Sequence, residues 1–257
     1  MAILKVNDLT KTYKSGKGIY DVSFSVKEGE VFGYLGPNGA GKTTTIRQMM
    51  GFTNAEKGGC TIKGLDSRSQ ADEIQNFVGY LPGEMAFFEG MTGSQFLNFM
   101  KEMRGIKSSG LTEELIERFD LEPDRRIRKM SKGMKQKLGI VTAFMHDPEV
   151  YILDGPTSGL DPLMQKTFIE LILEERARGK TILMSSHSFE EVERTSDRAG
   201  VIREGRLVAV EDVHSLKASQ RKIYVVTVAS QNDVELLKSS NLEIGKITGT
   251  DVEIIVR

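Results

Sequence analysis

Apolar and polar positions along the 257-residue chain change rhythm several times. Residues 3–6, 19–26 and 31–35 are short β-type runs, separated by turns such as Lys27-Glu28-Gly29. Residues 36–45 are glycine-rich, and a helical pattern starts near Thr43. From about residue 66 to 146 the chain reads as helical, with apolar positions in 95–100 and 111–119 recurring every 3.6 residues or so. Residues 150–153 form a continuous apolar run, the pattern of a strand buried on both faces. A helix is predicted over 162–178, stopped by Gly179, followed by a second buried strand over 181–185. Strands alternating with helices predict an α/β fold with a parallel sheet covered on both faces. After about residue 213 the pattern changes again. A strand at 223–228, a short helix at 233–239 and a hairpin over 242–256, broken at Gly249-Thr250-Asp251, predict a small βαββ module. No internal repeat and no low-complexity tract interrupts this order.

Composition narrows the picture. At 39% hydrophobic and 28% charged residues the chain is an ordinary globular protein of one or two domains. The 35 Lys and Arg against 36 Asp and Glu leave a net charge of −1, which argues against nucleic acid or an anionic membrane as partner. A local basic run between Arg125 and Lys137 lacks interleaved aromatics and reads as a solvated surface. The single Cys60 excludes an intramolecular disulfide and fits a reducing cytosol. No stretch of about 18 apolar residues occurs, and no apolar leader follows the N-terminus. The expectation is a soluble, cytoplasmic chain that reaches a membrane only through a partner.

Two segments carry chemistry on their own. Gly36-Pro37-Asn38-Gly39-Ala40-Gly41-Lys42-Thr43, with Thr44 following, matches G-x-x-x-x-G-K-[ST]. Glycines let the backbone wrap a phosphate so that several N–H groups point inward. Lys42 can reach the terminal phosphates, the Thr43 hydroxyl can hold Mg²⁺, and a helix N-terminus faces the anion. An apolar run before the motif and a helix after it give the context the motif needs. Tyr151-Ile152-Leu153-Asp154 is an apolar strand ending in a carboxylate, the position from which phosphate-loop nucleotidases help hold Mg²⁺.

Further segments, in the same order along the chain, resemble the ATP-binding subunit of ABC transporters. Met130-Ser131-Lys132-Gly133-Met134-Lys135-Gln136 resembles the signature motif, and its form resembles the ABC-2 exporter branch. Ser158-Gly159-Leu160-Asp161 resembles the D-loop, and His187 the switch histidine. Tyr13 resembles the aromatic that stacks on adenine, and Tyr80-Leu81-Pro82-Gly83-Glu84 sits where the Q-loop belongs. Alone, a tyrosine in a turn is ordinary surface packing and a histidine an ordinary core residue; together the motifs favour the functional reading. The resemblance covers about residues 2–212. It implies a RecA-like P-loop NTPase core with an N-terminal antiparallel β region, a helical signature subdomain near 86–145 and, from 213, an accessory module. It further implies ATP and Mg²⁺, and a head-to-tail dimer around two ATPs. There Ser131, Lys132, Gly133, Met134 and Gln136 face the opposite subunit's nucleotide, Asp161 lies at the seam and His187 donates to the γ-phosphate. A separate membrane permease would be the driven partner, with export the expected direction. The Met-rich stretch Phe87, Phe88, Met91, Phe96, Phe99, Met100 and Met103 is divided between core and a groove for a helix of that permease.

Two positions depart from the family pattern. Position 155, where the carboxylate that activates the attacking water belongs, is Gly155. Binding should survive and hydrolysis be impaired, because losing a general base costs about 10² to 10⁴ in rate. Three explanations compete: a deliberate trap substitution (the favoured one), a degenerate subunit paired with a competent one, or another carboxylate in the role. The second departure is Gly83, in place of the usual glutamine, with Glu84 beside it as a candidate metal ligand or a solvated loop charge. A non-transport ATPase acting on nucleic acid or ribosomes is disfavoured, because one cassette is present and no sustained heptads separate Lys42 from Asp154. A non-hydrolytic, ATP-gated regulator stays open because of Gly155.

Overall fold

A computed structural model describes residues 1–14, 16–106, 110–218 and 222–256. In chain order the first elements are β1 (Ala2–Thr12), β2 (Gly18–Lys27), β3 (Val31–Leu35), α1 (Lys42–Met49), β4 (Lys57–Ile62), β5 (Leu65–Asp66), α2 (Ala71–Phe77) and β6 (Val78–Leu81). A helical stretch follows: α3 (Gly93–Met103), α4 (Gly110–Arg118), a 3₁₀ turn (Ile127–Lys129) and α5 (Lys132–Phe144). Then come β7 (Val150–Asp154), α6 (Pro162–Ala177), β8 (Thr181–Ser186), α7 (Phe189–Thr195), β9 (Arg198–Arg203) and β10 (Arg206–Asp212). The last elements are α8 (Val213–Ala218), β11 (Lys222–Thr227), α9 (Gln231–Lys238), β12 (Glu243–Thr248) and β13 (Asp251–Val256).

The central sheet has the order β10-β9-β3-β8-β7-β6 and is parallel across β9, β3, β8, β7 and β6. Its strands are the apolar runs that leave no polar face. In β7, Tyr151 and Leu153 point into one core, with Phe144, Phe168 and Leu138 of the helices. Val150 and Ile152 point into the other, with Ile46 and Met49 of α1 and Leu4, Val6 and Val22 of β1 and β2. That alternation explains why 150–153 carries no polar position. The second sheet, β2-β1-β4-β5, is antiparallel and supplies the outer wall of the second core.

The helical reading of 66–146 needs one correction. Residues 78–81 are not helical; they form β6, paired in parallel with β7. Only four residues long and enclosed by α5, this strand is too short for periodicity to reveal. A Cβ at Gly79 would lie 2.4 Å from the Ala143 carbonyl oxygen, so α5 presses on the strand where a side chain would stand. Strands β9 and β10 were also absent from the pattern. They are joined by Glu204 and Gly205, both at positive φ, the geometry of a two-residue hairpin turn.

The described residues divide into two compact units, Met1–Glu211 and Asp212–Arg257. In the second, β11, β12 and β13 form a three-stranded antiparallel sheet of order β11-β13-β12, with α9 between β11 and β12 in sequence and with Val234 of α9 and Val252 of β13 buried.

Candidate functional site

Parallel strands deliver their C-terminal ends to one edge of the sheet. Leu35, the last residue of β3, is in register with Ser186 of β8, and Ser185 with Asp154 of β7. The glycine-rich loop, the Ser185-Ser186-His187 segment, Asp154 and, after β6, Gly83 therefore emerge side by side. Four segments far apart in sequence meet because the neighbouring strands β3, β8, β7 and β6 end together.

The loop from Gly36 to Gly41 is shaped by its glycines. Gly39 has φ +79° and Gly41 φ +110°, conformations that carry little penalty only without a Cβ. At Gly36 and Gly41 a Cβ would also collide, with the Ile202 carbonyl oxygen at 2.3 Å and the Ile19 side chain at 2.5 Å. Helix α1 starts without a side-chain cap and without an acidic residue in its first turn. Its N-terminal N–H groups are left to an anion. Lys42 Nζ donates to the Gly36 carbonyl at 2.5 Å and the Pro37 carbonyl at 3.0 Å, lying back along the loop. Burial pushes its ammonium below the usual lysine range, and the Asp154 carboxylate opposes that. A cavity of about 360 Å³ is lined by Tyr13, Lys17, Gly18, Asn38, Gly39, Gly41, Lys42, Thr43 and Thr44. The β1–β2 turn thus brings Tyr13, 42% exposed, to the same opening as the loop.

Asp154 is buried. Its Oδ1 accepts the Ser185 hydroxyl proton at 2.5 Å, while its Oδ2 is buried without a hydrogen-bond partner. An orphan carboxylate oxygen of this kind fits a divalent cation, for which the oxygen chemistry of Asp154 and Thr43 is suited. Among the described residues no group of three or more His, Cys, Asp or Glu could hold a metal. A cation here would need ligands from a bound phosphate. Gly83 closes on the same atom: a Cβ there would lie 2.9 Å from Asp154 Oδ2. Glu84 is exposed and lines a cavity of about 600 Å³ with Thr43, Arg47, Phe52, Tyr80, Pro82 and Gly83.

Gly155 takes φ +59°, and its N–H donates to the Ser185 carbonyl (3.2 Å) and hydroxyl (3.0 Å). A Cβ there would meet nothing within 4 Å. The position has room for a side chain but holds a backbone that L-residues adopt at a cost. Asp161 is the N-cap of α6, accepting from the Met164 N–H at 3.0 Å. Ser131 caps α5 in the same way, accepting from the Met134 N–H at 3.2 Å, and its hydroxyl proton stays available to a ligand. Ser131 and Lys132 are exposed, with Gly133 and Met134 half-buried beside them. Gln136 does not share that surface. It is buried, and its Nε2 donates to the Pro156 carbonyl at 2.7 Å, so the expectation that it faces an opposite nucleotide is revised. Five residues along α5 from the Ser131 cap, it faces the loop between β7 and α6 of its own chain.

His187 is exposed and lines a separate cavity of about 250 Å³ with Thr157, Gln165, Ser188, Glu191 and Arg194 among its walls. Beneath it the Ser186 hydroxyl donates to Glu191 Oε2 at 2.5 Å. Burial raises the Glu191 carboxyl above its usual range, while Ser186, Thr157 and His187 hold it down. Sequence reasoning missed Ser185, Glu191 and Lys17. The two serines stood beside His187 in the motif, but no spacing rule says which hydroxyl meets which carboxylate.

The Met-rich stretch is partly core and partly surface. Phe96 is buried, Phe87, Met91 and Met100 pack against the helical core, and Phe88 and Met103 are exposed.

Comparison with known proteins agrees with this geometry. Residues 19–158 match the family described as ABC transporter. The bacitracin transport ATP-binding protein BcrA of Bacillus licheniformis is 36% identical, over 94% of this chain and 80% of that protein. The linearmycin resistance ATP-binding protein LnrL of Bacillus subtilis (strain 168) is 31% identical, over 98% of this chain and 84% of that protein. A solved ATP-binding subunit of an ABC transporter superposes with a TM-score of 0.76 at 32% identity, covering 84% of this chain and 92% of that one. With its glycine-rich loop, buried Asp154 and Ser131-capped turn on one α/β frame, this chain belongs to the ABC transporter family as an ATP-binding subunit.

Proposed function

We propose that two copies of this subunit, or this one and a related one, close head to tail around two Mg-ATP and so drive a separate membrane permease. The observation that carries this reading is that Tyr13 and the glycine-rich loop after β3 line one cavity, while Asp154 ends β7, two strands along the same sheet edge with β8 between. The ring of Tyr13 stacks on adenine, and the loop N–H groups cradle the phosphates. Lys42 leaves the Gly36 and Pro37 carbonyls to reach the terminal phosphates. Thr43 and Asp154 Oδ2 hold Mg²⁺, with Glu84 a further candidate ligand; the ion neutralises phosphate charge. Asp154 is oriented for this by the Ser185 hydroxyl. In the opposite subunit the exposed signature turn presents Ser131 Oγ–H and the Gly133 N–H to the γ-phosphate, with Lys132 and Met134 flanking. His187 donates to the same phosphate, and Asp161 sits at the seam. Residues 1–212 form the ATP-binding domain and 213–257 an accessory module.

Gly155 offers no carboxylate to take a proton from the attacking water, so hydrolysis is impaired as written. No described helix is long and apolar enough to cross a membrane, which fits a subunit held on the cytoplasmic face by its permease. The exposed Phe88 and Met103 of the Met-rich stretch supply apolar surface on which a permease helix docks. Relatives named for bacitracin transport and linearmycin resistance support export. Gly155 alone favours a second reading, an ATP-gated regulator without turnover or transport. Light scattering tests the dimer: Mg-ATP should double the mass of the chain, and Lys42→Ala should abolish the doubling. A mass that stays monomeric in saturating Mg-ATP contradicts a homodimer; co-purification with a membrane protein separates a transport subunit from a regulator.

A further inference from the structure

The first turn of α5 grips the loop between β7 and α6 at three points. Gln136, 3% exposed, donates from Nε2 to the Pro156 carbonyl at 2.7 Å. Gly133 approaches so closely that a Cβ would lie 2.7 Å from the Gly159 carbonyl oxygen. The aliphatic chain of Lys132 lies over Gly159, where a Cβ would stand 3.1 to 3.3 Å from its Cγ, Cδ and Cε. The gripped loop begins at Asp154 and Gly155 and ends at Asp161. Its other anchors include the Gly155 N–H on Ser185 of β8, the Thr157 side chain on Glu191 of α7, and Gln165 Nε2 on the Leu160 carbonyl. Between them, Gln136 supplies the side-chain hydrogen bond that reaches the loop from the signature helix.

We infer that Gln136 is a positioning residue, locking the signature turn to the 155–161 loop of its own chain so that the two nucleotide sites of a dimer are felt together. The inference rests on the dimer reading above. There, the signature turn touches the partner's nucleotide, and the loop leads from the metal carboxylate of the chain's own site to Asp161 at the seam. A rigid link between them makes occupation of one site shift the elements of the other. The Pro156 residue is buried, and its carbonyl has the Gln136 amide as donor. A hydrogen bond shielded from water is stronger and more directional than one at the surface, which suits such a link.

Gln136→Met keeps length and apolar volume while removing the donor; Gln136→Asn keeps the amide but falls a methylene short. For each, ATP affinity by titration of a fluorescent ATP analogue, melting temperature and ATP-driven dimerisation are measured beside the unsubstituted chain. Both variants should bind nucleotide within about twofold of the unsubstituted chain, while the dimer dissociation constant rises tenfold or more. In a Gly155→Glu background, kcat should fall tenfold or more with KM for ATP unchanged. Unaltered dimerisation and kcat overturn the inference. So does a parallel fall of melting temperature, nucleotide affinity and dimerisation in both variants, the mark of a residue that only holds the fold. If the unsubstituted chain binds ATP and never dimerises, the dimer reading itself fails, and the link falls with it.

Discussion

Tyr13 and Gly155 show how single positions divide binding from chemistry. Tyr13 is held at the mouth of the phosphate-loop cavity by the β1–β2 turn, where its N–H donates to the Lys17 carbonyl at 2.8 Å. Its proposed task needs only a flat ring. Tyr13→Phe should therefore bind ATP within about twofold of the parent. Tyr13→Ala should lose about 1 to 3 kcal/mol, roughly a 5- to 150-fold weaker dissociation constant by calorimetry. Equal losses in both variants would assign the effect to the hydroxyl and contradict the stacking role. Gly155 is the reverse case, a position proposed to matter for chemistry and not for binding. Its φ of +59° is left-handed, so a glutamate there costs about 1 to 2 kcal/mol unless the backbone relaxes, but it meets no steric block.

Elements matter through the way their ends are tied. The loop from α5 to β7 is pinned to the short strand β6 by His146, whose Nε2 lies 3.3 Å from the Val78 carbonyl oxygen. Burial, then the nearby Arg104 guanidinium, push this imidazole down to about 4; the Val78 carbonyl and Asp147 oppose the shift. The folded value lies below the unfolded one of about 6.5, so the unfolded chain takes up a proton that the folded chain refuses. The stabilisation is present above pH 6.5 and lost as pH falls toward 4. Denaturant midpoints should drop across that window, by less than about 1.4 kcal/mol per pH unit because the ring is only partly enclosed. The drop should be shallower in His146→Gln; identical slopes would contradict the assignment. The sequence reads β6 poorly for the same structural reason that makes it matter. Four residues under a helix show no period, and Gly79 is there because α5 leaves no space. By contrast β7 and β8 were legible, since burial on both faces leaves continuous apolar runs at 150–153 and 182–184. Spacing along one chain also revealed the 36–43 loop, and resemblance to the family marked the 130–136 segment. It could not reveal that Ser185 would meet Asp154, or that Gln136 would turn away from Ser131. Those facts depend on strand register and helix rotation.

At the scale of the whole molecule, the sheet order decides the function. Placing β8 between β3 and β7 sets the Ser185–His187 segment between the glycine-rich loop and Asp154, so one edge brings together the groups proposed to hold the phosphates and Mg²⁺, without a carboxylate at 155. Both hydrophobic cores lie within Met1–Glu211, and none of their residues comes from the second unit. The central claim is thus a machine complete for binding and incomplete for turnover. Steady-state ATP turnover of this chain, measured beside Gly155→Glu, tests it most directly. The account predicts that the unsubstituted chain binds Mg-ATP but turns over slowly, and that the glutamate raises the rate about a hundredfold or more. Matching rates in the two proteins would contradict it: a high shared rate would hand the base to another carboxylate, and a negligible one would mean that Gly155 is not what holds hydrolysis back.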